Sequence, residues 1–575
     1  MEDTRSSMLP TRNLLPKRHL RSANEGDTGC GCQTAAAAPS SDAQGKEIAF
    51  SLVMATYNRR DSIGEAIDSV LAQTYRHFEL IIVDDGSTDG TEDFLRSRYA
   101  QEFKLGHLRY FWKENGGICS ARNAGLKLVR NDWIGYVDSD NALFPSYLET
   151  FARAIRANPE RRFFYAKIIF KHQGRIIGRP FDYDALLERN FIDSGALVHH
   201  RSLMAEAGTF DEAMTRLVDW ELSLRYAQKA PPFFINRVLL LYSDDTSSSR
   251  ISTHANYYSN LAYLRRKHCH YPVVTTIITT YNHASYIEKA ILSAIRQKGR
   301  FIHEILISDD ASTDGTRERV RAFAQEYPYL IRDISSDVRL GISGNMQKCF
   351  QAATGEYLAV LEGDDYWSSP HKLAKQIDFL ARNPDCSMVF SRVERLRKGK
   401  KTLVPEQDAL PQKMSGRDFF NAKTISLIIN FSCCLFRKDL LLALPQKLCE
   451  NRLSEIALAF YLERFGLIGF IQEPLSVYRM HGQGTWAGAD RLHKLRQKRL
   501  CREAAMAVCL PEYQPDFVAE IARIDRQIAK LQAPPRKTVR RRPAAWFRWA
   551  TLRKYWSRVG RRLAAELRNL VRAHR

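Results

Sequence analysis

Apolar and polar positions follow the same order twice along this chain. Ile48 to Ala55 is a short, mainly apolar run that ends on polar Thr56-Tyr57-Asn58, the pattern of a buried strand opening into a loop. Ile63, Ile67, Val70 and Leu71 then recur at helical spacing, with Asp61 or Ser62 in position to cap the helix. Leu80 to Val83 predicts a second strand that stops on Asp84-Asp85. Further along, Val273–Ile278, a helix over 285–296 and Ile305–Ile307 leading into Asp309-Asp310 predict the same series. Strand, helix and strand with apolar strands argue for a parallel sheet, in which polar residues just past the strand C-termini line the ligand crevice.

The correspondence reaches individual residues. Residues 52–58 read LVMATYN and residues 276–282 read TIITTYN, an offset of 224. Asp84-Asp85-Gly86-Ser87-Thr88-Asp89-Gly90-Thr91 returns as Asp309-Asp310-Ala311-Ser312-Thr313-Asp314-Gly315-Thr316 at an offset of 225. Asp138-Ser139-Asp140-Asn141 returns as Glu362-Gly363-Asp364-Asp365, again at 224. Three matches in one order identify two copies of one domain, expected over 47–265 and 270–490. Residues 1–46 mix charge with Gly, Ser and an Ala run and read as disordered. A helical segment is expected over 491–535, where Phe517, Ile521, Ile524, Ile528 and Leu531 form one apolar stripe before Pro534-Pro535. A basic amphipathic tail over 536–575 follows.

Composition narrows the class. Hydrophobic residues at 45% and charged residues at 26% exclude a fully disordered, collagenous or membrane-embedded chain. No apolar run is long enough to span a bilayer; the nearest, Ile425 to Phe436, carries Asn430 and Ser432 and reads as a buried strand. No apolar segment of the secretory kind precedes Glu47, and eleven scattered cysteines fit a reducing compartment better than a disulfide framework. The net charge is 86 − 64 = +22, and the last 40 residues hold +13 of it. There Trp549, Leu552, Trp556, Val559, Leu563, Leu567 and Leu570 form one helical face, and arginines fill most of the rest. A Trp/Leu face against an Arg face is the pattern of a helix lying in the bilayer interface, so the tail is expected to meet an anionic membrane surface. A nucleic-acid partner is disfavoured, because most of the excess charge lies outside the globular body and no base-reading module is recognisable.

Asp138 and Asp140 are two apart, so on an extended strand end both side chains face one way. Converging carboxylate oxygens suit Mn²⁺ or Mg²⁺. Neither G-x-x-x-x-G-K-[ST] nor a strand-linked G-x-G-x-x-G is present, so nucleotide binding would rest on carboxylates.

The set T-Y-N, V-D-D-G-S-T-D-G-T, N-x-G-x-x-x-A-R-N-x-G (Asn115 to Gly125) and D-x-D resembles the family 2 glycosyltransferases with the GT-A fold. The second copy, with L-E-G-D-D-Y-W over 361–367 and V-Y-R-M-H-G over 477–482, is similar to the same family. The resemblance covers about residues 48–490 and implies two tandem Rossmann-like α/β domains that use nucleotide-sugar donors with Mn²⁺ or Mg²⁺. By position it implies Thr56 and Asp85 at the nucleoside, and Arg122 near the base or phosphates. It implies Asp138 on the ribose or diphosphate side of D-x-D, Asp140 as metal ligand and Asp219 as general base. In the second copy it implies Thr280 and Asp310 for the nucleoside, Glu362 and Asp364 for the D-x-D, and His481 near metal and diphosphate.

The copies depart from the family pattern in three places. The first reads Tyr242-Ser243-Asp244-Asp245-Thr246 where the family has Y-R-x-H, so Asp245 takes the place of the metal-side histidine. The second lacks A-R-N and has only Gly341-Ile342-Ser343-Gly344-Asn345. It also lacks D-W, and counting back eleven residues from Gly466 gives Glu455 as its candidate base. The expected function is bifunctional inverting transfer to a growing, lipid-linked, bacterial-type surface glycan, on the inner, cytoplasmic face of the membrane. The alternative is one catalytic domain beside one that only binds glycan or nucleotide.

Overall fold

The computed structural model describes residues 47–244, 256–422, 424–445, 448, 453–482, 489–532, 557 and 560. The expected disordered segment 1–46, the candidate ligand Asp245, and all of the tail except 557 and 560 lie outside the described residues.

The first apolar run forms strand β1 (Phe50–Thr56), which pairs in parallel with β2 (Phe78–Asp84). Strand β3 (Leu108–Trp112) joins the far side of β2 in parallel, and β4 (Trp133–Asp138) joins the far side of β1. Leu52, Val53, Met54, Leu80, Ile81 and Ile82 have no exposure at all, as an apolar strand covered by helices on both faces requires. Beyond β4 the chain builds the mixed half of the sheet. It contains β5 (Ala142–Leu143), β6 (Phe163–Phe170), β7 (Ile176–Ile177), β8 (Leu197–His200) and β9 (Phe233–Tyr242). The order is β3-β2-β1-β4-β8-β6-β9-β5, with β7 on β6, and β8 runs antiparallel to β4.

The second copy builds the same sheet from β10 (Val273–Thr280), β11 (Ile302–Asp309), β12 (Ile331–Asp333), β13 (Tyr357–Glu362) and β14 (Tyr366–Trp367). It continues with β15 (Cys386–Arg397), β16 (Lys400–Leu403), β17 (Lys413–Met414), β18 (Cys434–Arg437) and β19 (Leu467–Met480). Its order, β12-β11-β10-β13-β18-β15-β19-β14, repeats the first sheet position by position. The chain therefore folds as two tandem α/β domains of the class expected.

Local differences from expectation have local causes. The helix Ile63–Leu71 starts after Ser62, but the Ser62 side chain caps nothing and instead donates to the Arg59 carbonyl at 3.5 Å. Of the run Ile425 to Phe436, only Cys434–Arg437 belongs to a strand, and Phe431–Cys433 is a 3-10 turn. The strand is broken because Asn430 and Ser432 turn their side chains to the buried Asp365 carboxylate. The C-terminal stripe lies on the helix Gln514–Gln532, where Phe517 and Ile524 are buried while Leu531 stays exposed. Phe517 packs edge-on against Phe420 and Phe460 of the second copy.

A helix over Tyr257–His268 joins the copies, and its polar side chains grip the first one. Lys267 Nζ and His268 Nε2 reach Glu221 at 2.7 and 3.1 Å, and Asn260 Oδ1 accepts from the backbone of Thr215 and Arg216. The Tyr329 hydroxyl, from the second copy, donates to the Ala213 carbonyl at 2.7 Å.

One buried histidine per sheet gives a pH expectation. His199 lies 2.8 Å from the Tyr136 hydroxyl, and burial lowers its pKa to about 4. His303 lies 2.8 Å from Thr276 Oγ1, and burial lowers its pKa to about 3. Below the ordinary histidine value the unfolded chain binds protons that the folded one refuses. Stability should then fall with pH from about 6.5 to 4, by roughly 1.4 kcal/mol per unit for each histidine. Thermal unfolding across this window checks it, and a His303→Gln chain whose acid slope equals that of the parent would refute it.

Candidate active sites

In each copy the T-Y-N and D-D-x-S-T-D-G-T motifs brace each other. Asn58 N donates to Ser87 Oγ at 2.8 Å, Thr88 N donates to Asn58 Oδ1 at 2.8 Å, and Arg60 N donates to Asp89 Oδ2 at 3.0 Å. The same three bonds recur through Asn282, Ser312, Thr313, Ala284 and Asp314. Asn58 and Asn282 take positive φ, 49° and 54°, a conformation asparagine tolerates. Most of the motif thus builds the loop, and Asp85 is the member aimed at the next segment. Its carboxylate accepts from Gly116 N at 3.0 Å, Gly117 N at 2.7 Å and Lys113 Nζ at 2.7 Å. Asp310 accepts from Leu340 N and Gly341 N at 2.6 and 3.0 Å. A carboxylate offers about four lone-pair sites, so both retain capacity for a ligand. Thr56 and Thr280 end their strands beside these aspartates, and their carbonyls accept from Asp85 N and Asp310 N, each at 2.9 Å.

The helix Ile118–Leu126 packs so closely that a Cβ on Gly125 would lie 2.5 Å from Val53. That packing buries Arg122 against the sheet end, where its Nη2 donates to Asp138 Oδ1 at 2.6 Å and Ser194 Oγ at 3.1 Å. Asp219, in the first turn of the helix Val218–Lys229, accepts from Asn190 Nδ2 at 2.8 Å. Burial raises its pKa, with Arg122 opposing and Asp138 adding to the rise. Asp193 joins the cluster from the segment before β8. Burial first, then the charges of Asp138 and Asp219, push its pKa up to about 8. Three carboxylates therefore share one buried arginine.

The D-x-D carboxylates are not on an extended strand end. Asp138 closes β4 and Asn141 N turns back to its carbonyl at 3.2 Å, which carries Asp140 into a turn 3.9 Å from Arg59. Glu362 closes β13 and Asp365 N turns back at 2.9 Å in the same way. Gly363 is required in this turn, since a Cβ there would lie 2.6 Å from Thr280 Oγ1.

In the second copy Asp364 Oδ2 meets His481 Nε2 at 3.0 Å, with His283 at 3.9 Å. His481 Nδ1 is buried without a partner. Among the described residues no group of three or more His, Cys, Asp and Glu side chains converges as a ready metal cage. One carboxylate and one imidazole still fit a divalent cation that completes its shell with phosphate oxygens and water. Leu340-Gly341 meet Asp310 as Gly116-Gly117 meet Asp85, and buried Met346 stands five residues after Gly341 as Arg122 stands five after Gly117. Burial, followed by the charges of Asp365, Asp364 and Glu455, holds the Glu362 carboxyl well above the usual carboxylate range. Glu455 starts the helix Glu455–Leu462, as Asp219 lies in the first turn of its own.

Asp193, Asn190, Asp365, Asn430 and Arg479 stand against the candidate site residues, and the sequence did not single them out. Asp365 had a signal, its place next to D-x-D. It accepts from Arg479 N at 2.9 Å and Ser432 Oγ at 2.8 Å, just as Asn141 accepts from Ser243 N at 2.9 Å. Ser243 and Arg479 are thus equivalent, which aligns Asp245 with His481 two residues on.

A family model described as glycosyl transferase family 2 matches residues 51–189 and 275–444. An uncharacterized protein of Mycobacterium tuberculosis is 29% identical over 226 residues, 38% of this chain and 61% of that one. An uncharacterized glycosyltransferase of Rickettsia bellii is 24% identical over 512 residues, 76% of this chain and 69% of that one. The chain spans about six tenths of the length of the first curated relatives it matches. Among solved structures, Staphylococcus aureus TarS 1–349 in complex with UDP-GlcNAc is 19% identical, with a TM-score of 0.33, over 38% of this chain and 65% of that one. The two matched stretches fall one in each copy and together make up more than half of the sequence, and the chain accordingly belongs to glycosyl transferase family 2.

Proposed function

We propose that both domains transfer a sugar, with inversion, from a nucleoside-diphosphate sugar to a growing, lipid-linked surface glycan. The observation that carries this is the same pairing in each copy: a carboxylate in the first turn of a helix within electrostatic reach of the acid that ends the fourth strand, Asp219 with Asp138 and Glu455 with Glu362. In the first domain Asp219 takes the proton of the acceptor hydroxyl, whose oxygen attacks the anomeric carbon as the nucleoside diphosphate departs from the opposite face. Burial raises the Asp219 pKa, which brings it nearer the working pH and makes it a better proton acceptor. Asn190 orients its carboxylate, and Arg122 holds Asp138 toward the donor. A divalent cation held by Asp140 and Asp245, or by Asp364 and His481, would supply charge compensation for the leaving diphosphate.

The test is a pair of substitutions in the full chain. Asp140→Ala should abolish transfer by the first domain alone and Asp364→Ala by the second alone, read as two separable activities across a panel of nucleotide sugars with Mn²⁺. If either change silences both activities in a folded protein, the two-site reading fails. Met346 in place of Arg122 favours the second reading, in which only the first domain is catalytic and the other binds glycan or nucleotide. Activity lost entirely with Asp140→Ala and unaffected by Asp364→Ala would establish it.

The basic tail would bring this chemistry to its acceptor. The full chain is expected to sediment with anionic vesicles and a chain ending at Pro535 to remain in solution. Equal sedimentation of the two would remove the tail from this role.

A further inference from the structure

Among the described residues, the second copy carries a cationic cluster that the first lacks. The ring of Tyr366, directly after the D-x-D turn, is faced by Lys289 Nζ at 3.8 Å, the Arg479 guanidinium at 4.9 Å and Lys401 Nζ at 5.9 Å. These cations come from three elements: the helix Ile287–Ile295, β19 and β16. Strand register sets Leu396 beside Arg479 and Arg397 beside Met480, so the β15–β16 hairpin runs along the same mouth. Its exposed Arg397, Lys398 and Lys400 extend the positive rim.

The carboxylates nearby balance these charges only in part. Glu394 takes Lys401 at 2.7 Å, and Asp364 and Asp365 act on Arg479, but they already serve the D-x-D site. Lys289 has no carboxylate partner among the described residues. Arg479 Nη1 is buried without an acceptor. Cations gathered on one ring repel each other unless an anion sits among them.

The first copy serves as an internal control. By helix start and by the Asn141/Asp365 register, its equivalents of Lys289, Tyr366 and Arg479 are Glu65, Ala142 and Ser243. Glu65 is held by Lys171 Nζ at 3.2 Å, which closes the same place with an internal ion pair. One scaffold therefore has an acid, a methyl group and a hydroxyl where the other has two cations and an aromatic platform.

We propose that the second domain handles an anionic sugar, whose carboxylate or phosphate seats among Lys289, Lys401 and Arg479 against Tyr366. This rests on the glycosyltransferase reading and adds the substrate class. The charged group is carried either by the acceptor end or by the donor sugar.

The experiment uses the full chain and a Lys289→Glu/Lys401→Ala double variant, both sites being exposed. Calorimetry compares a galacturonate hexasaccharide with its carboxyl-reduced neutral counterpart, and UDP-glucuronate with UDP-glucose. The acidic member of one pair should bind about tenfold more tightly than its neutral partner, and the double variant should lose that preference. The pair that responds identifies acceptor or donor as the source. No preference in either pair, or one that the double variant keeps, overturns the proposal. Loss of sedimentation with phosphatidylglycerol vesicles while both sugar preferences survive assigns the cluster to the membrane and overturns it too. Nucleoside diphosphate release by the unsubstituted chain is measured alongside; its absence with every nucleotide sugar would strike the enzymatic reading and leave the charge preference to be judged separately.

Discussion

Asp219→Asn should lower turnover by the first domain by about two to four orders of magnitude while nucleotide-sugar affinity stays within a few-fold. The amide keeps the shape of the side chain and can still meet Asn190, but it cannot take a proton from the acceptor. A base that acts only in the transition state affects kcat and leaves the ground-state complex intact. Glu455→Gln should act the same way on the second domain. The readout is nucleoside diphosphate release against donor affinity for each domain. Wild-type turnover in Asp219→Asn would move the base elsewhere, and a parallel loss of donor affinity would make Asp219 a binding group.

Arg122→Met, which installs the residue the second copy uses, should destabilise the first domain by about 3 kcal/mol. Among the described residues the arginine is the one cation buried among Asp138, Asp193 and Asp219, and its side chain is 4% exposed. The figure sits at the low end for a broken buried pair because Asp138 itself is 25% exposed and can recruit water. Acids whose folded pKa is raised bind protons more tightly in the folded state, so their contribution to stability falls as pH rises from about 4. The loss in Arg122→Met should therefore be larger at pH 8 than at pH 5, as read from the first domain's unfolding transition. An equal loss at both pH values would mean that packing against Tyr136 and Phe210, rather than charge, is what Arg122 supplies.

The repeat, the parallel strands and the motifs at their C-terminal ends were legible because each depends on short-range periodicity and on positions close together in sequence. Glu455 was reachable by counting back from Gly466, because the helix that begins at Glu455 lies a short, fixed stretch before β19. Asp193 and Asn190 were not legible. They lie in a segment without period, and the antiparallel pairing of Trp133 with His200 brings that segment to the site. The D-x-D geometry was misread for a related reason: a spacing of two implies one face only while the strand continues, and here it ends on the first acid. Ile425 to Phe436 was misread as a strand because hydrophobicity records burial but not the two side chains that leave the ladder for Asp365.

Seven residues before His200 stands Asp193, and seven before the equivalent Arg437 stands Asn430. Just past the D-x-D turn the copies hold Asn141 and Asp365. The acid and the amide have changed places between two stretches of chain about 50 to 65 residues apart, and in the second copy they are hydrogen-bonded to each other. A single exchange at either position would leave two acids in one buried space or none, so neither substitution is neutral without the other. The two positions are therefore matched within each domain. A chimera that joins the front of one domain to the back of the other, with a crossover between these positions, would inherit a mismatched site even though every strand in it still fits.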